Sequence, residues 1–302
     1  MSDTTILENV CLAGKTTYRI GGCARFYAEP ETETDLLQLY SHATAQNTQV
    51  FVLGKGSNVL VSDRGWDGMV ICLSKLCGVE FDGCRVEAQG GLRLDELVAL
   101  AVKKGFAGME ELSGIPGTVG GAVVMNAGAF SSCISDTFKM ARVLKTSQNT
   151  VSEIGSEQMR FGYRHSAVKE NNDIVLSAVF EFRQADAEML AELRRNILCR
   201  RKGKQPLNHP NCGSVFKRPP GNYAGTLIEM SGLKGFRIGD VEVSQKHANF
   251  IVNRGKGCAE DVRRVIRHVQ KTVFERFDVL LEPEVLFVGT FDEPLYTPLM
   301  EL

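Results

Sequence analysis

The stretch "SGIPGTVGGAVVMNAGAF" at 113–130 constrains this chain more than any other. It sets Gly114, Gly117, Gly120, Gly121 and Gly128 in an otherwise apolar run, with Pro116 stiffening the turn. Glycine weakens helix and strand alike, so such density points to a backbone approached closely by something flat or bulky. The spacing is not G-x-G-x-x-G, and a Rossmann nicotinamide domain is not indicated. Close packing without a ligand is the plain alternative at this motif.

A second cluster, "LGKGSNVLV" at 53–61, packs Gly54, Lys55, Gly56, Ser57 and Asn58 behind a strand-like run. Glycines let successive N–H groups point into one concavity that suits phosphate. It is not a P-loop, because the glycine five residues before Gly-Lys is missing. Alone it reads equally well as a tight turn between strands. Two such cradles in adjoining regions favour one extended ligand carrying a pyrophosphate, a dinucleotide.

At 302 residues the chain suggests two or three domains. Its 35 basic and 36 acidic residues give no electrostatic reason to expect a nucleic-acid or membrane partner. The opening "MSDTTILENV" lacks the cationic and apolar regions of a secretion signal, and no apolar run approaches a membrane span of about 20 residues. Nine scattered cysteines without a C-x-x-C pair fit free thiols in a reducing cytosol, and five histidines without H-x-x-x-H speak against a metal site.

Three regions separate by pattern, divided as 1–77, 78–205 and 206–302. The first is a small α/β unit: a helical stripe of Leu36, Leu39, Tyr40 and Ala43, then strand-like "VFVLG", "NVLV" and "MVICL". The second opens with a hairpin around Asp82-Gly83. A helix with Leu94, Leu97, Val98 and Ala101 on one face follows, with Gly105 as its C-cap. It continues through "MARVLKT", "IVLSAVFEF" and a helix carrying Leu190, Leu193 and Ile197. The third holds a strand at "NFIVN", a helix at 259–277, the strand-like "EVLFVG" and a tail packed on the surface.

Four segments could carry chemistry. In "NCGSVFKRP" Ser214 stands near Lys217 and Arg218 with no histidine–acid pair beside it and no Gly-x-Ser-x-Gly elbow. A nucleophilic serine needs a base, so this hydroxyl could instead give a proton away. "FGYRHSAVKE" sets Tyr163 beside Arg164, a surface cation or an oxyanion clamp. "LLEPEVLFVG" leads into a strand at Glu284, which could equally be solvated at a sheet edge. The run 194–204 holds six cations; without interleaved aromatics it reads as a solvated helix end, one or two of whose cations could reach a phosphate.

In order, "TTYRIGG", "GKGSNVLV", "GIPGTVGGAVVMNAGA", "FGYRHS", "KQPLNHPNCGSVFKRP", "AGTLIE", "GLKG", "VSQKHANFIVN" and "EPEV" resemble the UDP-N-acetylenolpyruvoylglucosamine reductase family, from about Thr16 to Gly289. About 50 residues separate Tyr163-Arg164 from Gly213-Ser214, which matches the shorter subtype. The resemblance implies an α+β chain: a two-part FAD-binding domain of the vanillyl-alcohol-oxidase-like fold plus a C-terminal substrate domain. It implies an NADPH-dependent, cytoplasmic flavoenzyme, monomeric, that completes UDP-N-acetylmuramate for peptidoglycan. FAD would lie along 54–58 and along Gly114, Pro116, Gly117, Thr118, Gly120, Gly121, Asn126, Ala127 and Gly128, with Arg201 as a further contact. Ser214 matches the family's proton donor, and Arg164 and Glu284 the groups that stabilise the enolate, Glu284 as a protonated acid. Tyr163, Lys217, Arg218 and His247 would contact the substrate.

The sequence departs from the family pattern at Val124, where an aromatic is common, at "AFSSCISD", at Cys212 and at Leu286, where arginine is common. Cys212 could sensitise the site to oxidation or be an inert filler. Two alternatives compete with the reductase: another flavin oxidoreductase on the same fold, and a colourless nucleotide- or RNA-binding module using 194–204.

Overall fold

Gly83, at φ 54°, turns the hairpin between Val79–Asp82 and Arg85–Gln89, with Asp82 opposite Arg85. This is the local pattern foreseen, and in the computed structural model it is one corner of a five-stranded antiparallel sheet. The structure describes residues 4–298; Met1 to Asp3 of the opening stretch and 299–302 of the tail lie outside the described residues. The chain forms two compact units, one from residues through Leu7, 26–55 and 68–201, the other from 8–25, 56–67 and 202 onward.

The sheet of the first unit runs Thr150–Gly155, Phe138–Lys145, Ile174–Glu181, Arg85–Gln89, Val79–Asp82. Its central strand Ile174–Glu181 is buried on both faces and serves two cores. Val175, Ala178 and Phe180 join one apolar cluster; Ile174 and Leu176 join another. A strict alternation cannot do this. The register slips between Arg142↔Ser177 and Val143↔Val175, leaving Leu176 as the extra residue of a bulge that reverses the alternation. The second cluster is covered by Glu33–Ala45, which buries the expected Leu36, Leu39, Tyr40 and Ala43 and starts in a Thr32/Asp35 capping box. Val50–Leu53 lies parallel to 69–72 of Trp66–Cys72 beside it. The helix Leu94–Lys103 also matches its stripe, and Gly105 follows it at φ 72°.

One helix departs from expectation. Ala187–Lys204 buries Leu190 and Ile197, but Leu193 is 42% exposed. At 100° per residue the stripe through 190 and 197 continues to 194 and 201, not 193. Two of the cations read as a solvated helix end therefore point inward: Arg201 is 8% exposed, and Arg194 forms a fork on Asp95.

In the second unit, Asn211–Ser214, Phe250–Asn253, Val241–Val243 and Arg237–Ile238 make an antiparallel sheet, and Leu286–Val288 lies parallel to Val59–Val61. The helix Ala259–Phe277 has the bounds its periodicity predicts. Val262, Val265, Ile266, Val269 and Val273 are fully buried, each contributing about 1.5–3 kcal/mol. Its first amides, on Ala259 and Glu260, are capped from a distance by Asp63 at 2.8 and 3.0 Å. Tyr296 of the tail donates its N–H to Gln270 of this helix at 3.2 Å.

Candidate active site

Gly54, the first glycine of its cradle, meets the other glycine stretch within the first unit. A Cβ on Gly54 would fall 2.5 Å from Thr118 Oγ1, so only glycine lets the strand end pass this threonine. Thr118 is held there as the N-cap of Val119–Val124, accepting from Gly121 N at 3.4 Å. The paired glycines divide their work. Gly120 faces inward and donates its N–H to Gly90 O at 2.8 Å, whereas Gly121 is exposed, and a Cβ there would meet only Thr118 Oγ1 at 3.6 Å. Bare backbone thus faces open space at Gly121. Such a surface fits a bulky group such as a flavin dinucleotide.

Other predicted contacts are drawn together here. Gly114 donates its N–H to Asp95 Oδ1 at 2.6 Å, and a Cβ on it would lie 3.2 Å from Arg201 Cδ. Burial lowers the Arg201 pKa, opposed by the charge of Asp95. Burial alone would raise the Asp95 carboxyl, but the Arg194 fork and the Gly114 N–H outweigh it and hold the group below its ordinary value. Asp95 was not among the sequence candidates. Its signal, an acid in a helix's first turn, is common and says nothing of a partner 99 residues away.

Asn126 donates Nδ2 to Gly162 O at 3.1 Å and accepts from Ser135 N at 3.0 Å, tying the glycine stretch to the turn before Tyr163. Gly162 and His165 pair across that turn, leaving Tyr163 and Arg164 at its tip. Arg164 sits at φ 55°, a left-handed conformation costing a non-glycine residue of order 1 kcal/mol or more. Its Nη2 reaches Gly128 O at 3.4 Å and its guanidinium lies 5.1 Å from the ring of the exposed Tyr163. Pro116 and Lys55 are exposed, while Gly117 and Ala127 are half-buried.

In the second unit, Ser214 ends Asn211–Ser214 opposite Phe250. A register break after Asn211, with Gly213 at φ 82° and its N–H on Asn211 Oδ1 at 2.9 Å, sets the direction of the last residue. Beyond it Val215 N donates to Asn249 O at 2.8 Å, and the other edge receives 282–284. Glu284 N donates to Val215 O at 2.7 Å, Lys217 N to Glu282 O at 2.9 Å, and Phe216 bridges Pro283. Ser214 and Glu284, 70 residues apart in sequence, thereby become neighbours on adjacent extended segments.

Cys212 is buried in the strand that ends at Ser214. Burial raises its thiol to about 12. At neutral pH it is a protonated apolar filler, not a reactive thiolate.

The looser substrate candidates are less concentrated. Lys217 is half-buried and paired with the exposed Glu282; the Arg218 guanidinium lies 4.1 Å from the Tyr223 ring. His247 accepts the Asn249 N–H on Nδ1 at 3.2 Å and meets Phe250 edge-on. Burial, and then the charge of Lys234, lower its pKa, so it is neutral at pH 7. Gly56 is buried at φ 63°, and a Cβ on it would fall 2.7 Å from Lys15 O, while Ser57 is half-buried. Leu286, where arginine is common, is 37% exposed.

Comparison with known proteins agrees with this layout. Residues 24–154 match the FAD binding domain family and 205–288 the UDP-N-acetylenolpyruvoylglucosamine reductase C-terminal domain family. The reductase of Caldicellulosiruptor bescii is 46% identical over 94% of this chain and 90% of its own length; that of Streptococcus pyogenes is 43% identical over 94% and 96%. The crystal structure of the Thermus caldophilus reductase superposes with a TM-score of 0.82 at 32% identity, covering 96% of this chain and all of that one. With its glycine cradles, its Tyr-Arg turn and its serine and glutamate strands, the chain belongs to the UDP-N-acetylenolpyruvoylglucosamine reductase family.

Proposed function

We propose that this chain uses NADPH and bound FAD to reduce the enolpyruvyl group of UDP-N-acetylglucosamine enolpyruvate, giving UDP-N-acetylmuramate for peptidoglycan synthesis. The observation that best supports the reading is the 2.7 Å hydrogen bond from Glu284 N to Val215 O, which joins the segment carrying the acid to the segment carrying the serine. Bound FAD would supply the two-electron chemistry that links NADPH to the enolpyruvyl double bond. FAD would be held by Gly54–Asn58, by Gly114, Pro116, Gly117, Thr118, Gly120, Gly121, Asn126, Ala127 and Gly128, and by Arg201.

Charge then develops on the substrate as an enolate beside its carboxylate. Ser214 Oγ–H gives its proton to the carbon next to that carboxylate. An alcohol is a weak acid, so the transfer depends on the strong basicity of that carbon and on bonding distance. The Arg164 guanidinium, on the turn that also carries Tyr163, supports the carboxylate. Glu284, as the neutral acid, shares a hydrogen bond with the same charge. Tyr163, Lys217, Arg218 and His247 line the sugar nucleotide. The two segments 1–77 and 78–205 serve the cofactor and 206–302 the substrate. The enzyme works as a cytoplasmic monomer without a nucleic-acid or membrane partner. Among the described residues no helix is long and apolar enough to cross a membrane.

The test is spectroscopic. Purified protein should absorb as oxidised flavin, bleach anaerobically with NADPH, and recover its colour with the enolpyruvyl sugar nucleotide. A colourless protein that takes up no added FAD refutes the reading.

A further inference from the structure

We infer that Thr17 is a positioning residue that ties the glycine loop to the strand presenting Ser214. This rests on the function proposed above and adds a residue to it. Thr17 stands in "TTYRIGG", in a turn closed by Arg19 N on Thr16 O at 3.3 Å. Its backbone N–H donates to Gly56 O at 3.1 Å, and its Oγ1 lies 3.3 Å from that oxygen and 2.8 Å from Asn211 O.

One hydroxyl carries one proton, and the shorter contact is to Asn211. The amide of Thr17 therefore serves the loop and its hydroxyl serves the strand. Neither attachment has slack. A Cβ on Gly56 would fall 2.7 Å from Lys15 O and 2.8 Å from Thr16 Cα, and Tyr18 is fully buried with its carbonyl accepting Asn253 Nδ2 at 3.3 Å. Asn211 is itself fixed, donating to His209 O at 2.8 Å and accepting from Gly213 N at 2.9 Å. Only two residues separate Asn211 from Ser214. A shift at Asn211 O therefore reaches the proton donor without an intervening loop to absorb it.

Thr17→Val keeps the shape and deletes the hydroxyl; Thr17→Ser retains it. In flavin-free protein, amide hydrogen exchange across 211–214 should quicken in the valine variant and not in the serine variant. In flavin-loaded protein, the valine variant should keep its flavin-to-protein absorbance ratio and its rate of reduction by NADPH. Its reoxidation by the enolpyruvyl substrate should slow about ten- to hundredfold, as small misplacements of reacting groups do. Thr17→Ser should recover that rate. Equal losses in both half-reactions, unchanged rates in the valine variant, or no recovery with serine would overturn the assignment. Thr17→Ala is read by the same criteria should the buried methyl of valine prevent folding. If wild-type protein performs neither half-reaction, the proposed function fails and this inference with it; if only the variants disagree, the function stands.

Discussion

The side-chain amide of Asn58 donates to the Glu284 carbonyl at 3.2 Å, and the Asn58 carbonyl receives the N–H of Leu286 at 3.0 Å. A residue read from sequence as part of a phosphate loop thus also fastens the segment carrying the acid. Asn58→Ala should cost about 1 kcal/mol, the net worth of such a hydrogen bond. That loss corresponds to a fall of roughly 2–4 °C in the unfolding midpoint for a unit of this size. Reoxidation of the flavin by substrate should slow as well. Differential scanning calorimetry and stopped-flow absorbance check the two parts, and an unchanged midpoint would show the clamp to be idle.

Ser214→Ala removes only a hydroxyl from a half-buried strand end. Reduction of the flavin by NADPH should be almost intact, while transfer to the enolpyruvyl substrate slows by about two to four orders of magnitude, the usual share of a positioned acid. Anaerobic stopped-flow separates the half-reactions. A parallel fall in both would replace the proton-donor role with one in binding or folding.

Gly54→Ala places a methyl 2.5 Å from Thr118 Oγ1, an atom on a short branched side chain already committed as a cap. Overpacking of this kind costs about 1–3 kcal/mol, and the variant should purify with less flavin. Gly54→Ala combined with Thr118→Ala should regain part of both losses, because the clash disappears with the hydroxyl. Absorbance ratios and thermal midpoints of the single and double variants measure the coupling. Strict additivity would mean the two residues do not press on each other.

The pKa of His247 is lowered from 6.5 by burial, so the unfolded chain binds the proton more readily than the folded one. Its contribution is fully present above about pH 6.5 and is lost as pH falls below that value towards the lower folded-state pKa. His247→Asn, whose Oδ1 can replace Nδ1 as the acceptor for Asn249, should flatten the fall of the unfolding midpoint as pH drops below about 6.5. Calorimetry across that range decides it; parallel curves would place the acid sensitivity elsewhere.

The sequence alone determined the periodic elements and the chemistry of the loops. The helices Glu33–Ala45 and Ala259–Phe277 and the hairpin at Gly83 follow from local spacing, because stripe, cap and turn are properties of neighbouring residues. The ordered motifs likewise pointed to the cofactor and the reaction class. Contacts between distant segments were decided only by the tertiary structure. The bulge at Leu176 divides one strand between two cores, the inward turn of Arg194 and Arg201 depends on Asp95 and Gly114, and Thr17 and Asn58 fasten the strands of Ser214 and Glu284. No local pattern encodes these, because a hydrogen bond between residues about 200 apart depends on where both segments pack, and packing is settled by the whole fold.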